Sequence, residues 1–551
     1  MADVEDGKLT GHAGDHIVAA ARAYGVDAMF TLSGAHVFPL YDGAVKATPP
    51  MPLIDVRHES TAAFAAEGLA RLTRRPGLAV LTAGPGVTNA VSAMTTAWFN
   101  GTPLLVVGGR APAERWGQGS LQELDHPPLV APVTKHAGTI TAVDAVPGQV
   151  DGALRLALTP HRGPVFLDIP FDVVYGSTTA TAPVPAGRVS LPPPAADVEA
   201  VSRLLADAER PVLVLSSDVW NDGAEVAARE CAESLGVPVI TTGMGRGVLP
   251  RGHDLLVTRA RSTAFNEADL VVVAGAPLDF RLGYGRFGGR DGATPAAVVH
   301  LTDAPDQIAR HAPLAAGAAG DLTAVFREIA AATQPRDRGE WLGRLRGVAR
   351  EAEAADAGLL DSAATPIHPA RIYGELRRVL DDDAVVIGDG GDFVSFAGRF
   401  VEPALPGHWL DPGPFGCLGT GLGYAIAARL AHPSSQVVLL LGDGAAGFSL
   451  MDVDTLVRHR LPVVIVVGNN SVWGLEKGPM QMLYGYDVAA ELAPQTRYDE
   501  VVRALGGGGE LVTDPAGIGP ALRRGFAAGA PYLVNVITDP DAAYPRATFG
   551  V

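Results

Sequence analysis

The chain has 551 residues but only two cysteines, Cys231 and Cys417, which lie far apart in the sequence. Two such cysteines exclude the disulfide framework that holds small secreted domains together. The sequence also lacks a signal peptide and any apolar run long enough to cross a bilayer. These absences predict a protein of the reducing cytoplasm that does not act in a membrane.

Basic residues are scarce as well, since 43 Lys and Arg face 60 Asp and Glu, and the formal net charge is −17. So few spare cations cannot build a large basic surface, which excludes general binding to nucleic acid or to anionic membranes. An anionic substrate would need a local basic pocket. What the chain does have is apolar content, because 47% of its residues are hydrophobic. That is enough for the cores of about three domains.

Short β-branched apolar runs alternate with helical segments through three blocks, which predicts an α/β protein with three doubly wound parallel-sheet domains. The predicted domains cover residues 10–185, 195–335 and 366–545. A linker is predicted over 176–195, which is rich in Pro, Thr and Ala, and a partly helical connection over 346–369. Strands of the first two domains are expected at 52–56, 78–81, 104–107, 211–215, 270–273 and 297–301.

The third block contains two apolar runs, at 437–441 and 463–467, that each end in a small polar cluster. A helix predicted over 448–459 lies between them, so the stretch is typical of a βαβ unit. Because parallel strands end at the same edge of a sheet, Asp443 and Asn470 are expected side by side where such sheets bind ligands. Their oxygens suit Mg²⁺, and the helix start offers free amides to a phosphate. The alternative for each cluster is an ordinary turn.

The two clusters together resemble the metal and diphosphate signature of thiamine diphosphate enzymes. The resemblance implies that Asp443, Asn470 and the backbone carbonyl of Val472 hold Mg²⁺. The Gly-rich passage GPFGCLGTGLGYAIAA places Leu418 where the family has a bulky residue that keeps the cofactor bent, and a core leucine is the alternative. Further implied contacts to the cofactor are Gly391, Asp392, Gly442, Gly444, Ala445, Trp473 and Gly474.

A carboxylate, Glu59, follows a predicted strand of the first block and lies at a helix start, where an acid can simply cap the helix. The surrounding motifs RHE, AAEG.AR and GPG.TN resemble the pyrimidine-binding domain of the acetolactate synthase and pyruvate oxidase group. The resemblance implies that Glu59 shares a proton with the pyrimidine ring of the cofactor. It also implies that a loop packs against this ring through Thr82, Pro85 and Asn89, although the local sequence equally allows an ordinary Gly-Pro turn.

The segment GSLQELDHPPLV resembles the one that carries a Gln and a Glu into the substrate pocket of the family, here Gln122 and Glu123. A solvated pair at a helix start is the alternative. Leu121 stands where acetolactate synthases usually have an aromatic residue. Oxalyl-CoA decarboxylases have a Tyr-Glu pair in place of Leu121 and Gln122. These departures weigh against both of those activities.

The ending GYAIAA and the segment RARSTAFNEADLVVVAGAPLDFRLGYGRF resemble the branch of this group that acts on acyl-CoA thioesters. The segment offers Arg259, Arg261, Arg281 and Arg286 to the phosphates of ADP or coenzyme A. Solvated surface arginines are the alternative. Pro277 stands where both the acyl-CoA and the FAD-binding relatives commonly have Arg. The sequence therefore leaves ADP, coenzyme A, FAD or no nucleotide as alternatives for the middle domain.

The resemblance covers residues 10–545 and implies a 2-hydroxyacyl-CoA lyase, which cleaves its thioester into formyl-CoA and an aldehyde or ketone, with an acyloin-type condensation in reverse. Glu59, Gln122 and Glu491 are the candidate catalytic residues, and a solvated acid is the alternative for Glu491. Expected partners are an acyl-CoA thioester, a small carbonyl compound and further copies of the chain, in a homodimer or homotetramer with shared active sites. The alternatives are acetolactate synthase, oxalyl-CoA decarboxylase or a family member without catalysis.

Overall fold

The computed structural model describes residues 3–5, 7–184, 189–289 and 294–544. Three parallel β-sheets with helices packed on their faces form three α/β domains in chain order, which confirms the predicted fold class. The central strands are continuous runs of aliphatic residues, and such runs are typical of strands that are covered on both faces. Residues 185 and 545, the ends of two predicted domains, lie outside the described residues.

The first domain contains the elements β1 (Asp3–Glu5), β2 (Lys8–His12), α1 (Ala13–Ala23), β3 (Met29–Thr31), α2 (Phe38–Lys46), β4 (Leu53–Asp55), α3 (Glu59–Thr73), β5 (Gly77–Leu81), α4 (Pro85–Thr88), α5 (Val91–Phe99), β6 (Leu104–Arg110), α6 (His126–Val130), β7 (His136–Thr139), α7 (Val146–Leu158), β8 (Pro164–Pro170), α8 (Phe171–Val174) and β9 (Ser177–Thr181). Its parallel sheet has the strand order β4-β3-β5-β6-β8-β7. A small antiparallel sheet pairs β2 with both β1 and β9.

The central domain contains α9 (Ala195–Asp207), β10 (Pro211–Leu215), α10 (Ser217–Asn221), α11 (Glu225–Leu235), β11 (Val239–Thr241), α12 (Arg261–Glu267), β12 (Leu270–Ala274), β13 (Ala297–Thr302), β14 (Ala316–Ala319) and α13 (Leu322–Ala332). Its parallel sheet has the order β11-β10-β12-β13-β14. The strand order therefore reverses beside β10, which is where open α/β sheets form a ligand crevice. The long helix α14 (Gly339–Leu360) leads to the third domain.

The third domain contains α15 (Ala370–Val379), β15 (Val385–Asp389), α16 (Asp392–Phe400), β16 (Trp409–Leu410), α17 (Gly421–Ala431), β17 (Val437–Gly442), α18 (Asp443–Ser449), α19 (Val453–Arg458), β18 (Val464–Asn469), α20 (Gly474–Tyr484), α21 (Tyr498–Ala504), β19 (Gly508–Val512), α22 (Ile518–Ala527) and β20 (Tyr532–Ile537). Its parallel sheet has the order β16-β15-β17-β18-β20-β19. Strands β17 and β18 are direct neighbours, as the βαβ prediction requires.

Two sequence predictions differ from the observed elements. The helix expected over 448–459 begins earlier, at Asp443, and is interrupted by a 3-10 turn at Leu450–Asp452. The linker predicted over 176–195 is wrong in part, because β9 pairs there with β2; residues 185–188 of that linker lie outside the described part. The connection over 346–369 is helical as far as Leu360.

The first and third domains are joined within one chain by the packing of α3 against α17. Small residues let the two helices approach closely: a Cβ on Gly68 would lie 2.8 Å from the ring of Tyr424, and one on Gly423 would lie 2.7 Å from Cβ of Phe64. Glycine is tolerated inside these helices because the contact requires it. In the described part of the chain, no helix is both long and apolar enough to cross a membrane.

Candidate active site

The edge of the third sheet brings together the two polar clusters that the sequence predicted. Asp443 is the first residue of α18, and its carboxylate accepts hydrogen bonds from the backbone N–H of Gly444 at 2.9 Å and of Ser471 at 2.6 Å. The side-chain oxygen of Asn470 accepts a bond from the N–H of Val472 at 3.2 Å. Ser471 has a left-handed φ of 61°, a conformation that costs free energy for a non-glycine residue and is typical of functional loops.

The Asp443 carboxylate lies in an environment that calls for a cation. Burial raises the pKa of Asp443 to about 6, although the backbone N–H groups of Ser471 and Gly444 act in the opposite direction. A buried carboxylate that is paired only with backbone amides is costly to ionise, and a bound divalent cation would offset that cost. Oxygen donors from a carboxylate, an amide and a carbonyl are the ligands that Mg²⁺ prefers.

A cavity of about 500 Å³ opens directly over these oxygens. Its walls approach closely at glycine positions, since a Cβ on Gly444 would lie 2.5 Å from the Trp473 ring and one on Gly391 would lie 2.4 Å from the Leu475 side chain. The cavity is large enough for Mg²⁺ with a diphosphate. The oxygen donors suit the metal ion, and the backbone amides at the start of α18 suit the diphosphate. The cavity is lined by eleven of the residues predicted to bind the cofactor or the metal: Gly391, Asp392, Leu418, Gly442, Asp443, Gly444, Ala445, Asn470, Val472, Trp473 and Gly474.

A second group of predicted residues gathers in the first domain. Glu59 is the first residue of α3 and is 7% exposed, and its carboxylate accepts a hydrogen bond from the Asn89 side chain at 2.9 Å. Thr82 approaches Gln122 with a distance of 3.5 Å between their side-chain oxygens. Gln122 has a left-handed φ of 61°, so its turn holds backbone strain of the kind found at functional sites. Pro85 is the first residue of the short helix α4, which lies between Thr82 and Asn89 in the sequence.

One chain does not bring the two groups together, because Glu59, Thr82, Asn89 and Gln122 are not among the residues that line the 500 Å³ cavity. Instead, the residues on both sides of Glu59 bind to the 3-10 turn that follows α18. The side chain of Asp452 in this turn accepts bonds from the N–H of Arg57 at 2.7 Å and the hydroxyl of Thr61 at 2.6 Å. The predicted proton site therefore contacts the turn after α18, whereas the predicted metal site is at the start of α18.

Comparison with known proteins identifies the family to which the chain belongs. Three family models match the chain in order: the N-terminal TPP binding domain of thiamine pyrophosphate enzymes over residues 11–129, their central domain over 198–329 and their C-terminal TPP binding domain over 389–536. The chain belongs to the thiamine pyrophosphate enzymes. This finding confirms the resemblance that the motifs around Glu59 and Asp443 carry.

Full-length relatives of this thiamine pyrophosphate enzyme carry two kinds of name. The chain is 51% identical over 547 residues, 98% of its length and 97% of theirs, to the "Probable acetolactate synthase" of Mycobacterium bovis and the "Acetolactate synthase large subunit IlvG" of Mycobacterium tuberculosis. It is 34% identical to the "2-hydroxyacyl-CoA lyase 2" of Mus musculus, over 91% of this chain and 85% of the relative. The family is thus established.

Glu491, predicted as a base, lies beside the metal loop but is not among the residues that line the cavity. Its backbone pairs with that of Val472, whereas its side chain is 73% exposed and approaches only Lys477, at 3.4 Å, among its described ion-pair partners. Glu123, which neighbours Gln122, accepts bonds from the backbone N–H of Gly117 and Ser120 in its own loop. Neither acid is placed at the cavity in a single chain of this thiamine pyrophosphate enzyme.

The four arginines predicted for a nucleotide do not form one cluster. Arg259 forms an ion pair with Asp356. Arg261 donates to the backbone carbonyl of Arg281, and the side chain of Arg281 forms an ion pair with Asp279. Arg286 is exposed. Three of the four are thus engaged within the protein. Arg281 nevertheless lines both the 500 Å³ cavity and a cavity of about 340 Å³ in the central domain.

The central-domain cavity lies where the sheet topology predicts a ligand crevice, beyond the carboxyl ends of β10, β12 and β13. Ser216, Gly275 and Thr302 line it at those three strand ends. Burial lowers the pKa of Lys135, another lining residue, to about 8.

The structure adds a buried acid that sequence reasoning missed, one residue before Gly390 of the 500 Å³ cavity lining. Asp389, at the end of β15, is fully buried and accepts hydrogen bonds from two backbone N–H groups. One belongs to Gly419, which directly follows Leu418, and the other to Gly421, the first residue of α17. Burial raises the pKa of Asp389 to about 7. Its sequence signal, an Asp that ends an apolar run before glycines, is the same one that identified Asp443.

Proposed function

We propose that this chain is a thiamine diphosphate- and Mg²⁺-dependent enzyme that cleaves or forms a carbon-carbon bond beside a carbonyl group. The observation that carries the proposal is the juxtaposition of Asp443, Asn470 and the carbonyl of Val472 at a glycine-lined cavity. These three groups would hold Mg²⁺, and the amides at the start of α18 would hold the diphosphate. Thiamine diphosphate, when bound, supplies a carbon nucleophile and accepts the electron pair of the broken bond.

The residues of the first domain would manage protons at the other end of the cofactor. Glu59 is buried and keeps one carboxylate oxygen on Asn89, so it is positioned to share a proton with a ring nitrogen. Since Glu59 and Asp443 do not meet within a chain, we propose that Glu59 of one copy completes the cavity of another. The active form would then be a homodimer, or a homotetramer built from two such dimers.

For the substrate, we propose a 2-hydroxyacyl-CoA that is cleaved into formyl-CoA and an aldehyde or ketone. A cavity of about 170 Å³ lies at the far end of α16, whose first residue, Asp392, lines the cofactor cavity. This arginine cavity is lined by four arginines and five acidic residues: Arg251, Arg259, Arg377, Arg399, Glu353, Asp356, Asp381, Asp382 and Glu402. Arg377 is exposed and, among the described residues, has no ion-pair partner, so it is free to meet a phosphate. The long arm of coenzyme A would then follow α16 to the reacting carbon.

Acetolactate synthesis from a 2-oxo acid is the second candidate, and the higher sequence identity favours it. The mycobacterial relatives with that name are 51% identical, against 34% for the mouse lyase. Three arginines of the arginine cavity are also already committed, because Arg259 and Arg399 both pair with Asp356 and Arg251 pairs with Asp382. A small 2-oxo acid would need none of these arginines.

One experiment separates the two substrates. The purified enzyme, loaded with thiamine diphosphate and Mg²⁺, is given a panel of 2-hydroxyacyl-CoA thioesters or pyruvate, and formyl-CoA and acetolactate are measured by mass spectrometry. The lyase proposal predicts formyl-CoA, and Arg377→Gln should raise the KM for the thioester about tenfold, the scale of one lost phosphate contact. Arg378→Gln is the matched control, since Arg378 is outside the cavity lining and pairs with Asp361. Efficient acetolactate formation without formyl-CoA would establish the second candidate.

Two further proposals concern the ligand of the central domain and the cellular location of the protein. We propose that ADP, if any nucleotide, occupies the central-domain crevice, because the crevice lies at the reversal of strand order. We also propose that the protein acts in the cytoplasm, because both cysteines are free thiols and Cys231 is buried. Oxalyl-CoA decarboxylation and a family member without catalysis are less favoured, since Leu121 and Gln122 depart from the former and the retained Glu59, Asp443 and Asn470 oppose the latter.

A further inference from the structure

A buried chain of polar groups runs beneath the pyrimidine half-site of the first domain. The backbone N–H of Gly84 donates to Nε2 of His126 at 2.9 Å, and Nδ1 of His126 lies 2.8 Å from a carboxylate oxygen of Asp168. The same oxygen accepts a bond from Arg110 at 2.8 Å. His126 and Asp168 are both completely buried. No step of the proposed reaction uses them.

The partners fix the protonation state of the imidazole. A backbone N–H can only donate, so Nε2 of His126 must be the acceptor and carry no proton. The ring proton is therefore on Nδ1, where it is donated to Asp168, and Arg110 balances the charge of that carboxylate. The order of donors is thus Gly84 to His126 to Asp168, with one arrangement of protons that satisfies all three groups.

This chain of bonds connects the two segments that carry predicted site residues. Gly84 lies in the loop between Thr82 and Asn89, and His126 begins α6, four residues after Gln122. The segments touch closely, since a Cβ on Gly84 would lie 2.9 Å from Cβ of Gln122. Gly84 has φ +59° and ψ −113°, a conformation that strongly favours glycine. A small movement of either segment would therefore displace the other.

We propose that His126 is a positioning residue, which locks the Thr82–Asn89 loop and the Gln122 turn in the register that receives the pyrimidine ring of thiamine diphosphate. The role of that loop rests on the proposed cofactor site. Asp168 sets the tautomer of His126, and Arg110 donates to the same carboxylate oxygen. Without an acceptor at Nε2, the buried N–H of Gly84 would be unsatisfied, which is costly enough to move the loop.

Two substitutions at His126 separate its two bonds. The amide oxygen of Gln can occupy the place of Nε2 and still accept from Gly84, whereas Asn reaches only the place of Nδ1 and Asp168. In the cofactor-free protein, His126→Asn should raise the hydrogen-exchange rate of amides in residues 83–89 at least about tenfold, the scale of one unmade buried bond. It should also weaken thiamine diphosphate binding, measured by calorimetry, about tenfold. His126→Gln should retain most of the protection and most of the affinity.

A second variant covers the case in which His126→Asn fails to fold. Asp168→Asn preserves size but replaces the carboxylate by a neutral amide, whose oxygen is a weaker acceptor for Nδ1–H and leaves the charge of Arg110 without this partner, so the ring is held less firmly against the N–H of Gly84. It should shift exchange and affinity in the same direction as His126→Asn while its melting temperature confirms a folded chain. Equal effects of Gln and Asn at His126, or unchanged exchange in both His126→Asn and Asp168→Asn, would overturn the proposal. A wild-type protein that binds no thiamine diphosphate would instead overturn the cofactor site and leave the exchange test valid.

Discussion

The separation of Glu59 from Asp443 within one chain leads to a quantitative prediction for mixed assemblies. Glu59→Gln and Asp443→Asn should each abolish activity in a homogeneous dimer, because every shared site then carries one lesion. In a hybrid dimer, one site receives both lesions, and the other receives Glu59 from one chain and Asp443 from the other and is intact. Hybrids should therefore have half of the wild-type activity for each dimer.

The expected recovery can be worked out before the experiment. Random pairing of equal amounts of the two variants makes half of the dimers hybrid, so the mixture should recover about 25% of wild-type activity. Co-expression with two different affinity tags, followed by two purification steps, should give hybrids with about 50%. A mixture of Glu59→Gln with itself under two tags is the control and should stay inactive.

The assay follows product formation at saturating thiamine diphosphate and Mg²⁺, with the pairing verified by native mass spectrometry. If both residues served the same site from one chain, every site of the hybrid would contain one lesion. An inactive hybrid of verified composition would therefore refute the shared site. It would also require a rearrangement that carries Glu59 past α18 to the cavity of its own chain.

Three further predictions test individual side chains. Because the Glu491 side chain is 73% exposed, Glu491→Gln should lower the turnover rate less than about threefold, and a loss of roughly 100-fold would restore its role as general base. Gly444→Ala should prevent calorimetric detection of the cofactor, since its Cβ would lie 2.5 Å from Trp473; wild-type affinity would contradict the tight wall. The pKa of Asp389 is raised to about 7, so its contribution to stability is complete below about pH 4 and is lost as the pH rises through 7. Asp389→Asn removes that loss. The free energy of unfolding of the variant minus that of the wild type, from urea titrations, should therefore be larger at pH 8 than at pH 5. The same difference at both pH values would contradict the effect of burial on Asp389.

The fold was predictable because the strands carry their own signal. The runs at 437–441 and 463–467 are aliphatic along their whole length, and short runs of this composition are typical of strands covered on both faces. The start of α18 was not predictable from periodicity. Residues 443–447 are Gly and Ala apart from Asp443, so they show no apolar stripe, and the helix begins there because Gly442 precedes it in an extended conformation.

The metal half-site was predictable for a geometric reason, since two adjacent parallel strands must deliver Asp443 and Asn470 to one edge. The position of Glu59 relative to that site was not, because it depends on how α3 packs against α17 rather than on any local pattern. His126 was missed because its partners are a backbone N–H and a carboxylate 42 positions away. Contacts between a side chain and distant backbone leave no spacing in the sequence.

Binding of thiamine diphosphate to the cofactor-depleted chain, measured by calorimetry with and without Mg²⁺, tests the central claim most directly. The structure predicts one site for each chain, binding that requires Mg²⁺, and loss of that binding in Asp443→Asn, because the substitution removes the only charged ligand of the three. Circular dichroism of the variant would confirm that the fold is intact. Equal affinity in the presence of EDTA, or wild-type affinity in Asp443→Asn, would contradict the assignment of this edge of the third sheet as the metal and diphosphate site.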